Sequence, residues 1–238
     1  MMPLSYDLHI HSCLSPCGDD DMTPSNIVGM AKILGLDVVA ITDHNSCKNC
    51  PSFAAAAHEY GILPIFGMEL TTSEEVHVLC LFDNLEAALE YDKYVFDRIP
   101  DIPNNTEYFG NQLLYDTNDK NCGYVEKLLI SATDISFDDV YDLLEKYDGV
   151  MIPAHINKPT TSLISNLGFI PPDSKFKTVE IQAKDDKGEL IKAFPYLNDC
   201  RFIKDSDAHA LHIINEAINF MHPEECDAKS ILKYLKNT

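Results

Sequence analysis

Positive charge is scarce in this chain of 238 residues, where 18 lysines and arginines face 38 aspartates and glutamates and leave a formal charge of −20 at pH 7. Only Arg98 and Arg201 carry guanidinium groups. A surface of that sign repels polyanions, so long nucleic acid is not expected as a partner. A small anionic substrate stays compatible, because divalent cations gathered in one cleft reverse the local potential while the rest of the surface remains acidic. Also absent is any apolar run of the roughly 18 residues that a membrane-spanning helix needs. No basic and apolar leader precedes Pro3-Leu4-Ser5-Tyr6, so no membrane contact is expected and the location expected is the cytoplasm. Internal repeats, collagen-like tracts and charged tails are lacking too. With 45% hydrophobic residues, the chain can build one sizeable core, and residues 1–238 read as a single domain.

Eight cysteines are present. In a protein expected in the cytosol they point to free thiols or metal ligands rather than to a disulfide framework. Cys13 and Cys17 follow one strand candidate, and Cys47 and Cys50 follow another. If those strands are neighbours the four thiols could meet, which keeps open a non-catalytic cysteine and metal sensor as a competing function.

Strand and helix patterns alternate. Tyr6–His11 reads as a strand, and Thr23-Pro24 opens a helix to about Leu34, with threonine as N-cap, proline in the first turn and Gly35 as the stop. Asp37–Thr42 is a near-continuous apolar strand, Ser52–Tyr60 a helix, Leu63–Phe66 and Val76–Leu81 strands, and Leu85–Phe96 a helix. The alternation breaks over about residues 100–123, which reads as an insertion or lid with few strand signals. Phe137–Lys146 resumes as a helix, Gly149–Pro153, Val179–Ile181, Phe202–Lys204 and Asn219–Met221 as strands, and Ala228–Leu235 as a terminal helix. This order favours an α/β barrel over an open parallel sheet.

Asp7-Leu8-His9-Ile10-His11 and Ser206-Asp207-Ala208-His209 each place two metal-type side chains two residues apart, on one face of an extended strand. Six of the nine histidines, His9, His11, His44, His77, His155 and His209, lie at or just beyond strand ends. In a parallel α/β fold those ends open on one face, where sites gather. Glu69 ends an apolar strand, where an unpaired buried carboxylate is costly and a nearby cation removes the cost. Asp19, Asp20 and Asp21 follow the first strand. Imidazole and carboxylate are the ligands of Zn²⁺, Mn²⁺ and Fe²⁺, so the set reads as a metalloenzyme.

Taken in order, Asp7-Leu8-His9-Ile10-His11-Ser12, Ile41-Thr42-Asp43-His44, Gly67-Met68-Glu69, His77, Pro153-Ala154-His155 and Ser206-Asp207-Ala208-His209 resemble the polymerase and histidinol phosphatase (PHP) family of metal-dependent phosphoesterases. The resemblance implies a distorted (β/α)7 barrel holding two or three divalent ions of zinc, manganese or iron. It assigns His9, His11, Glu69 and Asp207 to one ion, has Glu69 bridge to a second held by His77 and His155, and gives Asp19, His44 and His209 to a third. Asp19 is placed by its spacing from the Thr23-Pro24 helix start, with Asp20 and Asp21 as adjacent competitors. It further implies hydrolysis of a phosphate ester by metal-bound hydroxide, since divalent metals lower the pKa of bound water to about 7. Asp207, His209 and Glu69 are the expected catalytic residues, and Lys158 and Arg201 the candidate substrate contacts. Asp7 and Asp43 are expected to orient histidines. The expected substrate is a small phosphorylated metabolite, histidinol phosphate or a nucleotide, with a phosphodiesterase acting on short oligonucleotides or nucleoside bisphosphates as the enzymatic alternative.

Overall fold

The computed structural model describes residues 3–182 and 187–237. Ten strands and eight helices follow one another as β1 (Leu4–Asp7), α1 (Pro24–Leu34), β2 (Val38–Ile41), α2 (Cys50–Tyr60), β3 (Leu63–Thr71), β4 (His77–Phe82), α3 (Leu85–Phe96), α4 (Thr106–Phe109), β5 (Leu113–Tyr115) and β6 (Asn121–Tyr124). Then come α5 (Phe137–Glu145), β7 (Val150–Pro153), α6 (Leu163–Leu167), β8 (Thr178–Glu180), α7 (Lys187–Ala193), β9 (Arg201–Ile203), β10 (Phe220–Met221) and α8 (Ala228–Lys236).

Local chemistry sets the first elements as the sequence suggests. Thr23 accepts a hydrogen bond from the Asn26 amide, Pro24 occupies the first turn, and Gly35 ends α1 in the left-handed conformation at φ 77°. All four residues of β2 are buried because β2 lies between β1 and β3, parallel to both.

The main sheet has the order β10-β1-β2-β3-β4-β7 and curls into an incomplete barrel. It is mixed rather than all-parallel: β4 runs antiparallel to β3 and to β7, and β10 antiparallel to β1. A parallel pair, β8 and β9, continues the wall, and a bridge between Ile10 and Ala208 returns it to the segment after β1. The result is a distorted α/β barrel. Side chains alternate across its wall with period two. Val38, Ala40, Ile65, Leu79, Leu81, Val150 and Ile152 fill the interior, which Ile231, Leu232 and Leu235 of α8 plug from one end. Val39, Ile41, Phe66, Met68, Val78 and Cys80 face the surrounding helices.

The region expected to lack strands contains α4 and the antiparallel β5–β6 hairpin. It extends past residue 123, because the Asn104 and Leu128 amides donate to the Glu126 and Ile102 carbonyls and so close the segment upon itself. Short strands with exposed polar positions, such as Asn121 and Cys122, carry too little apolar alternation to be read from sequence. No helix among the described residues is long and apolar enough to cross a membrane.

Candidate metal centre

The open end of the barrel collects the histidines through three different backbone devices. On β3, Ile65 points inward, and the alternation carries Glu69 inward as well. Because β4 is antiparallel to β3, the start of β4 meets the end of β3, and His77 pairs with Thr71. Gly67 permits the close approach: a Cβ there would lie 2.6 Å from the Cys80 carbonyl oxygen. His155 and Asp207 break the alternation with φ angles of 29° and 52°, left-handed values uncommon for residues other than glycine. His9 and His11 follow β1, where His11 N–H donates to Ala208 O and Ala208 N–H to His9 O.

Glu69 is the hub. Its Oε1 lies 2.8 Å from His77 Nδ1, 3.0 Å from His155 Nε2 and 3.3 Å from His9 Nε2, while Oε2 lies 3.1 Å from His44 Nδ1 and 3.4 Å from His11 Nε2. Burial alone would raise its pKa, but the imidazoles of His77, His9 and His44 hold this carboxylate well below the usual range. Asp207 approaches from the mouth, 3.4 Å from His9 and 3.3 Å from His11, and its other oxygen accepts from Lys158 Nζ at 3.0 Å. His209, a third exposed, stacks on His11 with ring centroids 4.2 Å apart.

Three overlapping groups have ligand atoms close enough to share an ion: His9, His11 and Glu69; His44, Glu69 and His77; and His11, His44 and His209. The first matches part of the expected assignment, whereas the second pairs His77 with His44 instead of His155. Asp19 is exposed and tied beside the centre by its amide, which donates to His209 O, but its carboxylate joins none of the groups. Asp20 is engaged by Asn111.

The protonation pattern tests whether a cation fits. Carboxylate oxygens of Glu180 lie 3.0 Å from His9 Nδ1, which places the first proton of that ring on Nδ1. Ser15 spends its hydroxyl proton on Asp43, so it accepts from His11 Nδ1. The two Nε2 atoms then face each other at 3.2 Å as acceptors unless one gains a second proton. Burial disfavours that proton, but Glu180, Glu69 and Asp207 outweigh it and hold His9 well above the usual imidazole value, while burial pushes His11 down to about 4. The pocket thus requires positive charge between these rings, and a divalent cation supplies it to both nitrogens and two carboxylates together. His44 Nδ1, buried without a hydrogen bond among the described residues, adds an uncommitted nitrogen at the same place.

Three expectations need correction. Arg201 does not reach the centre: its guanidinium bonds the Tyr234 and Asn237 carbonyls at the end of α8, and it stands at the end of β9 away from Asp207. Asp7 orients no histidine; it accepts from the Ser206 and Asn215 amides and so fixes the Asp207 loop to β1. The cysteines do not converge, since Cys47 and Cys50 approach Gly67 O while Cys13 lies at Leu113 O, and no cysteine joins a ligand group among the described residues. Glu180 was missed by sequence reasoning. It holds His9 and also accepts from the His155 amide at 2.8 Å. Its signal was present in Val179-Glu180-Ile181, an acid closing a buried strand.

The PHP domain profile matches residues 7–157, more than half of the chain. The chain belongs to the PHP domain family. Among relatives of this PHP chain, an uncharacterised Methanocaldococcus jannaschii protein is 33% identical over 101 residues, covering 39% of this chain and 59% of that protein. A 5'-3' exoribonuclease of Haemophilus influenzae is 35% identical over 83 residues, 34% of this chain and 29% of the enzyme. Among solved structures, the lesion-specific endonuclease Q of Pyrococcus furiosus superposes with a TM-score of 0.69 at 21% identity, over 99% of this chain and 56% of that one. The chain therefore spans less than two thirds of these relatives. Endonuclease Q has also been solved with a 27-mer duplex bearing an abasic lesion at its active site, and that structure matches with a TM-score of 0.59 at 20% identity over 88% of this chain and 50% of that one. This overturns the expected partner, a small phosphorylated metabolite to the exclusion of long nucleic acid. A net charge averages over the whole surface, whereas docking of a phosphodiester depends on the local potential at one mouth, so the charge of −20 does not exclude nucleic acid.

Proposed function

We propose that residues 1–238 act as one unit, a metal-dependent phosphoesterase that hydrolyses phosphodiester bonds of nucleic acid, at a strand end or at a nucleotide turned out of the stack. The observation that carries this reading is the pair of imidazoles His9 and His11, whose Nε2 atoms meet at 3.2 Å beside two carboxylates and require a cation between them. The exoribonuclease relative and the endonuclease Q fold support the nucleic-acid substrate. Single-unit behaviour is supported by Asp207 and His209, which complete from the far end of the chain a site begun by His9 and His11.

His9, His11, His44, Glu69, His77, His155, Asp207 and His209 would hold the ions, with Asp19 beside them. Divalent cations bound there supply Lewis acidity toward a phosphoryl oxygen and lower the pKa of water near neutrality. The chain's own groups do the rest. Glu180 fixes the Nδ1–H tautomer of His9, and Ser15, held by Asp43, does the same for His11. Lys158 stands at the mouth on Asp207, where its ammonium can shift to a phosphate oxygen. His209, at the rim, has Nδ1 2.7 Å from the Asp207 carbonyl oxygen, which leaves Nε2 as its ligand atom.

The test is hydrolysis of bis(p-nitrophenyl) phosphate and of end-labelled oligonucleotides by protein stripped of metal and reloaded with Mn²⁺, Zn²⁺ or Fe²⁺. Metal-dependent cleavage of the diesters is expected. Failure to cleave any diester with any of the three metals would overturn the reading.

A further inference from the structure

The insertion between α3 and α5 carries a cleft that the centre does not use. It has a volume of about 460 Å³ and is lined by Asn104, Asn111, Gln112, Leu113, Tyr124 and Val125 among others. That size falls within the range of small-molecule sites. Val125 is buried and Leu113 half-buried, which gives an apolar floor, whereas the Tyr124 ring is 64% exposed on its wall. Asn104 donates through Nδ2 to the Gly110 carbonyl, but its Oδ1 is buried and accepts no hydrogen bond among the described residues. That oxygen has no solvent-exposed surface, so it belongs to the wall of the cleft and is not a contact for a ligand.

The cleft is fastened to the rim of the metal centre. Leu113 N–H donates to the Cys13 carbonyl, and Asn111 Nδ2 donates to the Asp20 carboxylate. Gly110, at φ 98°, packs so closely that a Cβ would meet the Pro16 carbonyl oxygen at 2.2 Å. The same loop is bound to His209 through the Asp19 amide. A ligand in the cleft is therefore held at a fixed position relative to a phosphate at the centre.

From the exposed ring beside an apolar floor we infer that this cleft is a nucleobase subsite, in which Tyr124 stacks on a base. The inference rests on the nucleic-acid reading of the centre and adds how such a substrate is held. A planar heterocycle suits both the ring and the floor, and stacking on an aromatic side chain tolerates any base. It also suits the charge of −20, since stacking needs none of the cationic contacts this chain lacks.

The experiment titrates metal-loaded protein into a phosphorothioate-linked dinucleotide carrying 2-aminopurine, whose fluorescence is quenched by stacking. Quenching is expected in the wild type and in Tyr124→Phe, with about tenfold weaker binding in Tyr124→Ala, in line with the worth of one base–aromatic stack. Equal affinity and equal quenching in wild type and Tyr124→Ala would overturn the subsite. Wild-type hydrolysis of bis(p-nitrophenyl) phosphate, which has no base, is measured in parallel and reports on the centre alone. Turnover there without a Tyr124 effect rejects the subsite and leaves the phosphodiesterase reading standing. Tyr124-dependent quenching without turnover supports the subsite and rejects the phosphodiesterase.

Discussion

Glu69 and the rings of His9, His11, His44 and His155 are almost wholly removed from solvent, whereas the neighbouring insertion exposes Tyr108 at 79% and Tyr124 at 64%. The centre is held by contacts between side chains: Glu180 on His9 Nδ1, Ser15 on His11 Nδ1, Lys158 on one oxygen of Asp207. The insertion is held largely by uncharged groups, backbone bonds such as Leu113 N–H to Cys13 O and the amide side chains of Asn49 and Gln112. Chemistry that depends on protonation and spacing is thus buried where nothing can shift without leaving a charge unpaired. On the proposed reading, selection among substrates falls to the more exposed insertion.

The largest effect expected from breaking this contrast is at its hub. Chelation should abolish hydrolysis, and readdition of metal should restore it. Glu69→Gln removes the charge that faces five imidazoles, and the expected fall in kcat is on the order of 10³-fold. Stopped assays with metal content measured on the same samples check both, and a Glu69→Gln variant with wild-type turnover would show that the hub carries no chemistry.

One layer out, the effect should be smaller. Glu180→Gln keeps the size of the side chain but weakens its hold on His9 Nδ1 and on the His155 amide. The expected loss is about 10- to 100-fold in metal affinity, the usual cost of removing a partner of a ligating histidine. Competition with a chromogenic chelator measures it. Metal affinity equal to wild type would mean that His9 is oriented by the backbone alone.

These two positions also mark how far the sequence could be read. Glu69 stood out because it follows an apolar run and a glycine, and the ordered histidine motifs supplied the family and barrel. Glu180 also ends a buried strand but follows neither an apolar run nor a glycine, and its role exists only once β8 lies beside the segments carrying His9 and His155. Arg201 shows the converse failure. Its position before a strand could not reveal which end of β9 faces the mouth, and the α8 carbonyls that capture it lie more than 30 residues away. The hairpin β5–β6 was invisible for a different reason: strands of three and four residues, half-buried or exposed throughout, leave no periodic signal. The partner expectation failed because net charge averages over the whole surface while phosphate docking is local.

The contrast in charge gives the next test. Lys158 is the cation that the described residues bring to the mouth, so few counterions should be released when a strand binds. The dependence of log KM on log salt for an oligonucleotide should have a slope of about 1 or less in magnitude, in contrast to the slopes of proteins that neutralise many phosphates. A slope of 4 or more would place a basic track elsewhere on the molecule and remove the reason for assigning substrate hold to stacking.

The smallest effect should come from the thiols, which divide along the same line. Cys122 on β6 is exposed, as are Cys17 and Cys226, while Cys47, Cys50 and Cys80 are buried. Burial pushes the Cys80 thiol up to about 12, and burial with the neighbouring Cys50 pushes Cys47 well above its usual value. Near neutral pH the Cys47 and Cys80 thiols hold almost no thiolate, the form that reacts with alkylating agents. Iodoacetamide should label Cys122 and Cys226 first, spare Cys47, Cys50 and Cys80 until the protein unfolds, and leave bound metal and activity unchanged. Mass mapping of the labelled sites with metal analysis checks this. Loss of metal in step with alkylation would return the cysteines to the centre and favour a thiol-based sensor over a hydrolase built from histidine and carboxylate.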